Sequence, residues 1–94
     1  MAEQPQQREV SATELRTMFA DSDYPRRIAA RELQPHVIYD RPLPGGGTSR
    51  VTAYTELGGT TKLVVVHQRR RADGSETQPD PKMLHLEGII YWTR

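Results

Sequence analysis

The chain has 94 residues, of which 13 are Lys or Arg and 12 are Asp or Glu, and its net charge is +1 at neutral pH. This length is typical of one small domain, and the absence of cysteine excludes disulfides and thiolate metal sites and favours a cytoplasmic location. No apolar run approaches the ~20 residues that cross a bilayer, so we expect a soluble protein without a membrane segment.

Positive charge is concentrated in the middle of the chain. Residues 41–71 carry five Arg and one Lys against Glu56 alone, a net charge of +5, whereas the segments 1–40 and 72–94 each carry −2. Arginine binds carboxylates and phosphates through two hydrogen bonds at once and stacks on flat rings. The middle segment is therefore the first candidate for a binding surface, although a GC-rich coding sequence would also favour arginine over lysine.

The sequence divides at residue 10. Residues 1–9 are rich in Gln and have no apolar pattern, which predicts a disordered tail, and residues 10–94 are expected to form a single α+β domain. The domain opens with a predicted helix, because Ser11 and Glu14 have the spacing of a capping box.

The first helix has one apolar face, formed by Leu15, Met18 and Phe19, and Val10 is placed to pack on Leu15 as a hydrophobic staple. We expect this helix to end at residues 21–23, where two Asp flank a Ser.

A second helix is expected to open at Tyr24 and Pro25, because proline suits the first turn of a helix. Pro35 disfavours the helical conformation at the residue before it, so the helix should stop by then, and the sequence leaves open whether all of 25–33 is helical. A short strand at 36–39 and a glycine-rich loop at 42–47 follow.

Residues 50–57 and 60–71 are predicted to be strands joined by a tight turn at Gly58 and Gly59, a pair typical of two-residue hairpins. The resulting register places two apolar pairs in the core, Val51 with Val66 and Ala53 with Val64. Because side chains alternate along a strand, a different loop length would move these residues to the opposite face.

Residues 83–93 form the last predicted strand, with Gly88 as a bulge. Its alternation and that of the hairpin give one apolar face, which carries Val51, Ala53, Val64, Val66, Leu84, Leu86, Ile90 and Trp92. The predicted fold is therefore α+β, with one or two N-terminal helices packed on one face of a three- to four-stranded antiparallel β-meander.

The other face of this meander is the predicted binding surface, because no remaining segment is apolar enough to cover it. It carries Arg50, Tyr54, Glu56, Leu63, Val65, His67, Arg69, Arg71, His85, Glu87, Ile89 and Tyr91. All of these except Glu56, His85 and Glu87 are predicted to be binding residues.

Contact with a protein is the favoured function of this surface, either self-association into a homodimer or capture of another protein. Leu63, Val65, Ile89 and Tyr91 would form an apolar centre and the arginines a rim, since Arg and Tyr are common in protein interfaces.

RNA binding is the first alternative. Tyr54 and Tyr91 would stack on bases while Arg50 and the arginines at 69–71 hold phosphates, although the chain has no RNP-type motif.

A metal-independent ribonuclease is the second alternative. Glu56, His67, Arg69 and His85 would supply proton transfer and a cation for phosphodiester cleavage. Helices followed by an antiparallel meander resemble the order in barnase- and colicin-like toxin folds, but no motif matches residue by residue and no role is carried over. The three histidines are too scattered for a metal site, and we expect no cofactor.

Overall fold

The computed structural model describes residues 6–94, which form two helices and a six-stranded mixed sheet. The elements are β1 (Gln6–Glu9), α1 (Ala12–Asp21), α2 (Tyr24–Ala29), β2 (Leu33–Pro42), β3 (Thr48–Glu56), β4 (Val64–Arg70), β5 (Asp80–Leu86) and β6 (Ile89–Trp92). The strand order is β1-β6-β5-β4-β3-β2. The α+β class is as predicted, but a meander of three or four strands understates the sheet.

Strand β1 occupies part of the segment that was predicted to be a disordered tail. Gln6–Glu9 pairs in parallel with β6, and the N–H of Val10 extends the pairing by donating to the Trp92 carbonyl at 2.9 Å. A strand at the edge of a sheet can be held by backbone hydrogen bonds alone. The segment therefore needs no apolar pattern, and the strand could not be predicted from one. The tail prediction therefore does not hold for these four residues, and residues 1–5 lie outside the described part of the chain.

Helix α1 begins and ends where the sequence predicts. The Ser11 hydroxyl accepts the N–H of Glu14 and donates to its carboxylate, both at 3.1 Å. Leu15 and Phe19 are buried and Met18 packs beside them. At the other end the hydroxyl of Ser22 donates to the Phe19 carbonyl at 2.7 Å, which satisfies one of the free carbonyls of the last turn.

Helix α2 is shorter than the segment 25–33 that the sequence left open. Its end is a Schellman motif, because the N–H of Glu32 donates to the Arg27 carbonyl and that of Arg31 to the Ile28 carbonyl. Arg31 has a φ of 58°, a left-handed conformation that reverses the chain. Leu33 therefore begins β2 and enters the core from the sheet.

The predicted register of the β3–β4 hairpin is wrong by one residue. The connection is a seven-residue loop, 57–63, in which the N–H of Leu63 donates to the Tyr54 carbonyl at 2.8 Å. Val51 consequently pairs with His67 and Ala53 with Val65. A shift of one residue turns every β3 side chain to the other face, so Val51 and Ala53 leave the predicted core face.

The last predicted strand is in fact a second hairpin, β5–β6. Glu87 and Gly88 have φ values of 50° and 80°, the left-handed pair that a type I′ turn requires. Leu86 pairs with Ile89 and Leu84 with Tyr91, so these four share a face. Ile90 and Trp92 point to the opposite face, which corrects their predicted place in the core.

The main core lies between the two helices and one face of the sheet. It consists of Leu15, Phe19, Tyr24, Leu33, Val64, Val66 and Leu84, and the hydroxyl of Tyr24 donates to the His85 carbonyl. Of the predicted core face, Val64, Val66, Leu84 and Leu86 are on this helix-covered side. Neither helix of residues 6–94 has the length and apolar composition needed to cross a membrane.

Candidate functional site

The sheet face opposite the helices is here called the open face. No helix of residues 6–94 packs on it, because both helices contact the side that carries Val64, Val66 and Leu84. Cross-strand pairing arranges its side chains in rows. The central row runs across all six strands and contains, in order, His36, Ala53, Val65, Met83, Trp92 and Glu9.

The middle of the open face is apolar. Val65, Met83 and Trp92 of the central row are half-buried, and so are Val51 in the row on one side and Ile90 in the row on the other. Ala53 is fully buried among these larger side chains. We call Val51, Val65, Met83, Ile90 and Trp92 the apolar centre, because together they form one continuous patch without a charge.

One end of the open face is basic. Arg41, Ser49 and Arg69 form the row nearest the β2–β3 turn, and the guanidinium of Arg41 lies 5.0 Å from the centre of the Tyr39 ring. Arg50 and Arg70 form ion pairs with Asp40 and Glu76, whereas no carboxylate among residues 6–94 pairs with Arg41 or Arg69. These two cations are therefore available to an anionic partner.

His67 lies between the basic end and the apolar centre. Its Nε2 is 2.6 Å from the hydroxyl of Ser49, which is itself buried. Partial burial lowers the pKa of His67 below its usual value, and the nearby cations Lys82 and Arg69 lower it further, against an opposing effect of Asp80. The imidazole is therefore neutral at pH 7 and acts as a polar rather than a charged member of the face.

A pocket of about 320 Å³ opens at the β2 end of the central row, where the loop 57–63 meets the sheet. It is lined by His36, Ala53, Thr55, Gly59, Thr60 and Lys62. Nε2 of His36 and the hydroxyl of Thr55 are 3.0 Å apart, which fixes the imidazole against the sheet. The pocket is lined by an apolar residue, two threonines and Lys62, so it suits a side chain that ends in a carboxylate or amide.

The predicted binding residues are divided between the two faces. Val65, His67 and Arg69 lie on the open face. On the helix-covered side the register places Arg50, Tyr54, Ile89 and Tyr91, and both tyrosines pack against the core. Leu63 lies in the loop before β4 and also packs against the core, whereas Arg71 follows β4 and bonds to Ser75.

The four residues of the ribonuclease hypothesis are likewise separated. Glu56 pairs across the sheet with Leu33 on the helix-covered side, where both its carboxylate oxygens accept from the guanidinium of Arg27 at 2.8 and 2.9 Å. His67 and Arg69 share the open face with His85, but the central row lies between His67 and His85. Within residues 6–94, no three His, Asp or Glu side chains are close enough to hold a metal ion.

Several residues of the open face were missed from the sequence, chiefly Trp92, Met83, Ile90 and Val51. The available signal was the pair Glu87 and Gly88 between two β-prone runs, since a residue followed by glycine in that setting is typical of a hairpin. A hairpin there would have turned Trp92 away from Leu84.

No protein-family model matches this chain, and no curated protein or solved structure is significantly similar to it. Its function is therefore inferred from the chemistry of the open face.

Proposed function

We propose that the protein is an interaction domain that binds a partner protein through the open face. The observation that carries this proposal is the apolar centre, five half-buried apolar side chains on the open face. It lies next to the guanidinium groups of Arg41 and Arg69, with which no carboxylate of residues 6–94 pairs. An apolar centre with a polar and arginine-rich rim is the usual anatomy of a protein interface.

The size of the open face favours a reversible complex. Six strands at about 4.8 Å spacing span about 24 Å, and four rows of side chains about 7 Å apart span about 20 Å, so the flat area is about 500 Å². Stable interfaces bury about 800 Å² on each partner, and transient complexes bury less. A partner that also contacts the pocket beside Lys62 would increase the buried area.

The charges of the open face indicate what the partner should carry. Arg41 and Arg69 lie at one end and Lys62 borders the pocket at the β2 end of the central row, while the paired Glu9 is the acid at the β1 end of that row. A partner with an apolar patch bordered by carboxylates would complement this arrangement. A second copy of the chain is one version of the partner, and sedimentation at several concentrations tests it.

RNA remains the alternative, because phosphates would also bind Arg41 and Arg69. A protein is favoured over RNA since the two residues expected to stack on bases, Tyr54 and Tyr91, pack against the helix-covered core. The ribonuclease hypothesis has less support, because Glu56 is paired with Arg27 on the far side of the sheet. A cytoplasmic location stays part of the proposal, on the absence of cysteine.

The proposal is tested by affinity capture from the native host with two matched variants. Val65→Arg places a charge in the apolar centre, and Val37→Arg makes the same change at a β2 side chain that is 56 % exposed. We expect Val65→Arg to weaken capture of the partner at least about tenfold, the effect of roughly 1.4 kcal/mol, and Val37→Arg to leave it unchanged.

Circular dichroism checks that both variants are folded. Equal capture by the two variants would contradict the proposal. Capture that disappears after ribonuclease treatment, together with a steep salt dependence of binding to a labelled oligonucleotide, would favour RNA instead.

A further inference from the structure

A second candidate site lies on the opposite side of the molecule, in a groove between the two helices. One wall is the α1 face formed by Arg16, Phe19 and Ala20, and the other is the α2 face formed by Pro25, Ile28 and Ala29. Both sets have the spacing i, i+3, i+4, so each helix turns one continuous stripe toward the groove. Gln78 and Pro79 of the loop before β5 close it, and its volume is about 590 Å³.

The polar groups of this groove are gathered at the side next to β5. Nε of Arg16 donates to one carboxylate oxygen of Asp80 at 2.9 Å, and Nζ of Lys82 lies 3.1 Å from the other oxygen. One carboxylate therefore serves two cations, which leaves this cluster with a net positive charge. The side chain of Arg16 is 58 % exposed, and Gln78 lines the same groove.

The remaining lining is apolar. Phe19, Ala20, Pro25, Ile28 and Ala29 carry no polar side-chain atom, and Ala20 and Ala29 are exposed in spite of their position on the two facing stripes. A ligand that fits this distribution has an apolar body and one anionic end, because a guanidinium forms strong, charge-assisted hydrogen bonds with a carboxylate.

We propose that the groove between α1 and α2 binds a small amphiphilic carboxylate. The alkyl or aryl part lies between the two helices, and the carboxylate accepts hydrogen bonds from the terminal nitrogens of Arg16 and from the amide of Gln78. Arg16 keeps its Nε bond to Asp80, so binding does not require the ion pair to break.

The dimensions of the groove favour a small molecule over a helix of a partner protein. A volume of about 590 Å³ lies within the roughly 300–1,000 Å³ range of small-molecule sites. Helix α2 has 6 residues and is about 9 Å long, so a partner helix would contact less than two of its own turns along this wall.

The test uses decanoate titrated into the ¹⁵N-labelled full chain, below the concentration at which decanoate forms micelles, with decanol as the neutral ligand of equal chain length. We expect saturable shifts of the amide signals of Ala20, Ile28 and Ala29. Arg16→Gln should weaken decanoate about tenfold and leave decanol unchanged, because only the carboxylate uses the charge. Ala20→Trp should fill the groove and abolish binding of both ligands.

Arg26→Gln is the matched control, since Arg26 pairs with Glu32 and does not line the groove. It should leave the affinity for decanoate unchanged. The proposal is overturned if decanoate does not saturate, if Arg16→Gln and Arg26→Gln weaken it equally, or if the shifts fall on the open face around Trp92.

Discussion

Arg31 occupies a backbone conformation that usually belongs to glycine. Its φ is 58°, and it sits at the position of the Schellman motif where the chain turns from α2 into β2. A side chain in this region brings its Cβ close to the following carbonyl, at a cost of about 1–2 kcal/mol. The left-handed conformation is held because the N–H groups of residue 31 and Glu32 satisfy the last carbonyls of the helix.

Arg31→Gly should therefore stabilise the protein, by about 1 kcal/mol once the greater flexibility of glycine in the unfolded chain is subtracted. Urea unfolding monitored by circular dichroism measures the change. The slope of the free energy of unfolding against urea concentration should be the same as in wild type. Arg31→Ala removes the same charge but keeps a Cβ, so it should not stabilise. Equal effects of the two variants would show that the charge, and not the backbone, is responsible.

We expect His67 to make the stability depend on pH. Burial, Lys82 and Arg69 lower its pKa in the folded state, so near and below pH 6.5 the unfolded chain binds the proton more readily than the folded one. The contribution of His67 to the free energy of unfolding is fully present above the pKa of the unfolded chain. It is lost as the pH falls through the pKa of His67 in the folded state.

Urea unfolding at pH 7.5 and pH 5.5 should show lower stability at the acid pH, and His67→Gln should reduce that difference. The comparison between the two proteins isolates this residue, because the other titrating groups are common to both. An identical loss of stability in wild type and variant would show that His67 does not contribute.

At the scale of elements, the free edge of β2 is protected by two prolines. Tyr54 turns its carbonyl toward the β4 side, where Leu63 donates to it, so its β2 partner Pro35 turns its own backbone groups outward. Pro42 pairs with Thr48, which lies six residues before Tyr54 in β3 and so turns its backbone groups to the same side as Tyr54. Pro42 therefore also points outward. Neither proline has an N–H to offer to another strand.

This protection matters because the middle of β2 is apolar and exposed. Val37 is 56 % and Ile38 50 % exposed, and the register of the strand shifts between Val37 and Tyr39. An exposed, apolar edge strand tends to pair with a strand of another molecule, and prolines and bulges are the usual means of preventing this.

The double substitution Pro35→Val and Pro42→Val should therefore promote self-association through β2. Sedimentation velocity at increasing protein concentration is expected to show dimers or larger species that wild type lacks at the same concentrations. Pro44→Val, in the turn after β2, is the matched control and should sediment as wild type does. An unchanged distribution for the double variant would refute the protective role of these prolines.

Local signals explain which elements could be predicted. The Ser11–Glu14 capping box determined α1, and the β-branched run at Val64–Val66 marked β4, because both depend on residues close together in sequence. The register of β3 and β4 could not be derived, since the loop 57–63 is held by contacts between its ends and the sheet. An error of one residue in that register placed Val51 and Ala53 on the wrong face. The missed hairpin at Glu87 and Gly88 did the same for Ile90 and Trp92.

At the scale of the whole molecule, the sheet separates a closed helix-covered layer from an open one. Neighbouring residues of β5 belong to different sides: Leu84 is 0 % exposed in the core, whereas Met83 lies half-buried in the apolar centre. The residues predicted for the candidate site are divided between these two sides in the same way. Val65, His67 and Arg69 could be placed on one face from the sequence because they alternate along one strand. Tyr54 and Tyr91 lie with their strands on the side opposite to the predicted one.

Leu84→Ala should reduce the free energy of unfolding by about 3 kcal/mol, because it leaves a cavity in the core. Met83→Ala should reduce it by about 1 kcal/mol or less, since its side chain is already partly in water. Urea unfolding of both variants tests the assignment of the two faces. Similar losses for the two would contradict it.

The parallel pairing of β1 with β6 also bears on how the chain assembles during synthesis. Gln6 pairs with Ile89, so β1 is synthesised well before its neighbour and pairs with it only after the rest of the sheet has been made. Contacts between segments close in sequence form earlier. The helices and the antiparallel pairs β2–β3, β3–β4 and β4–β5 can therefore form before β1 pairs with β6. A nascent chain that stalls before Ile89 would expose the bare edge of β5 to chaperones and proteases.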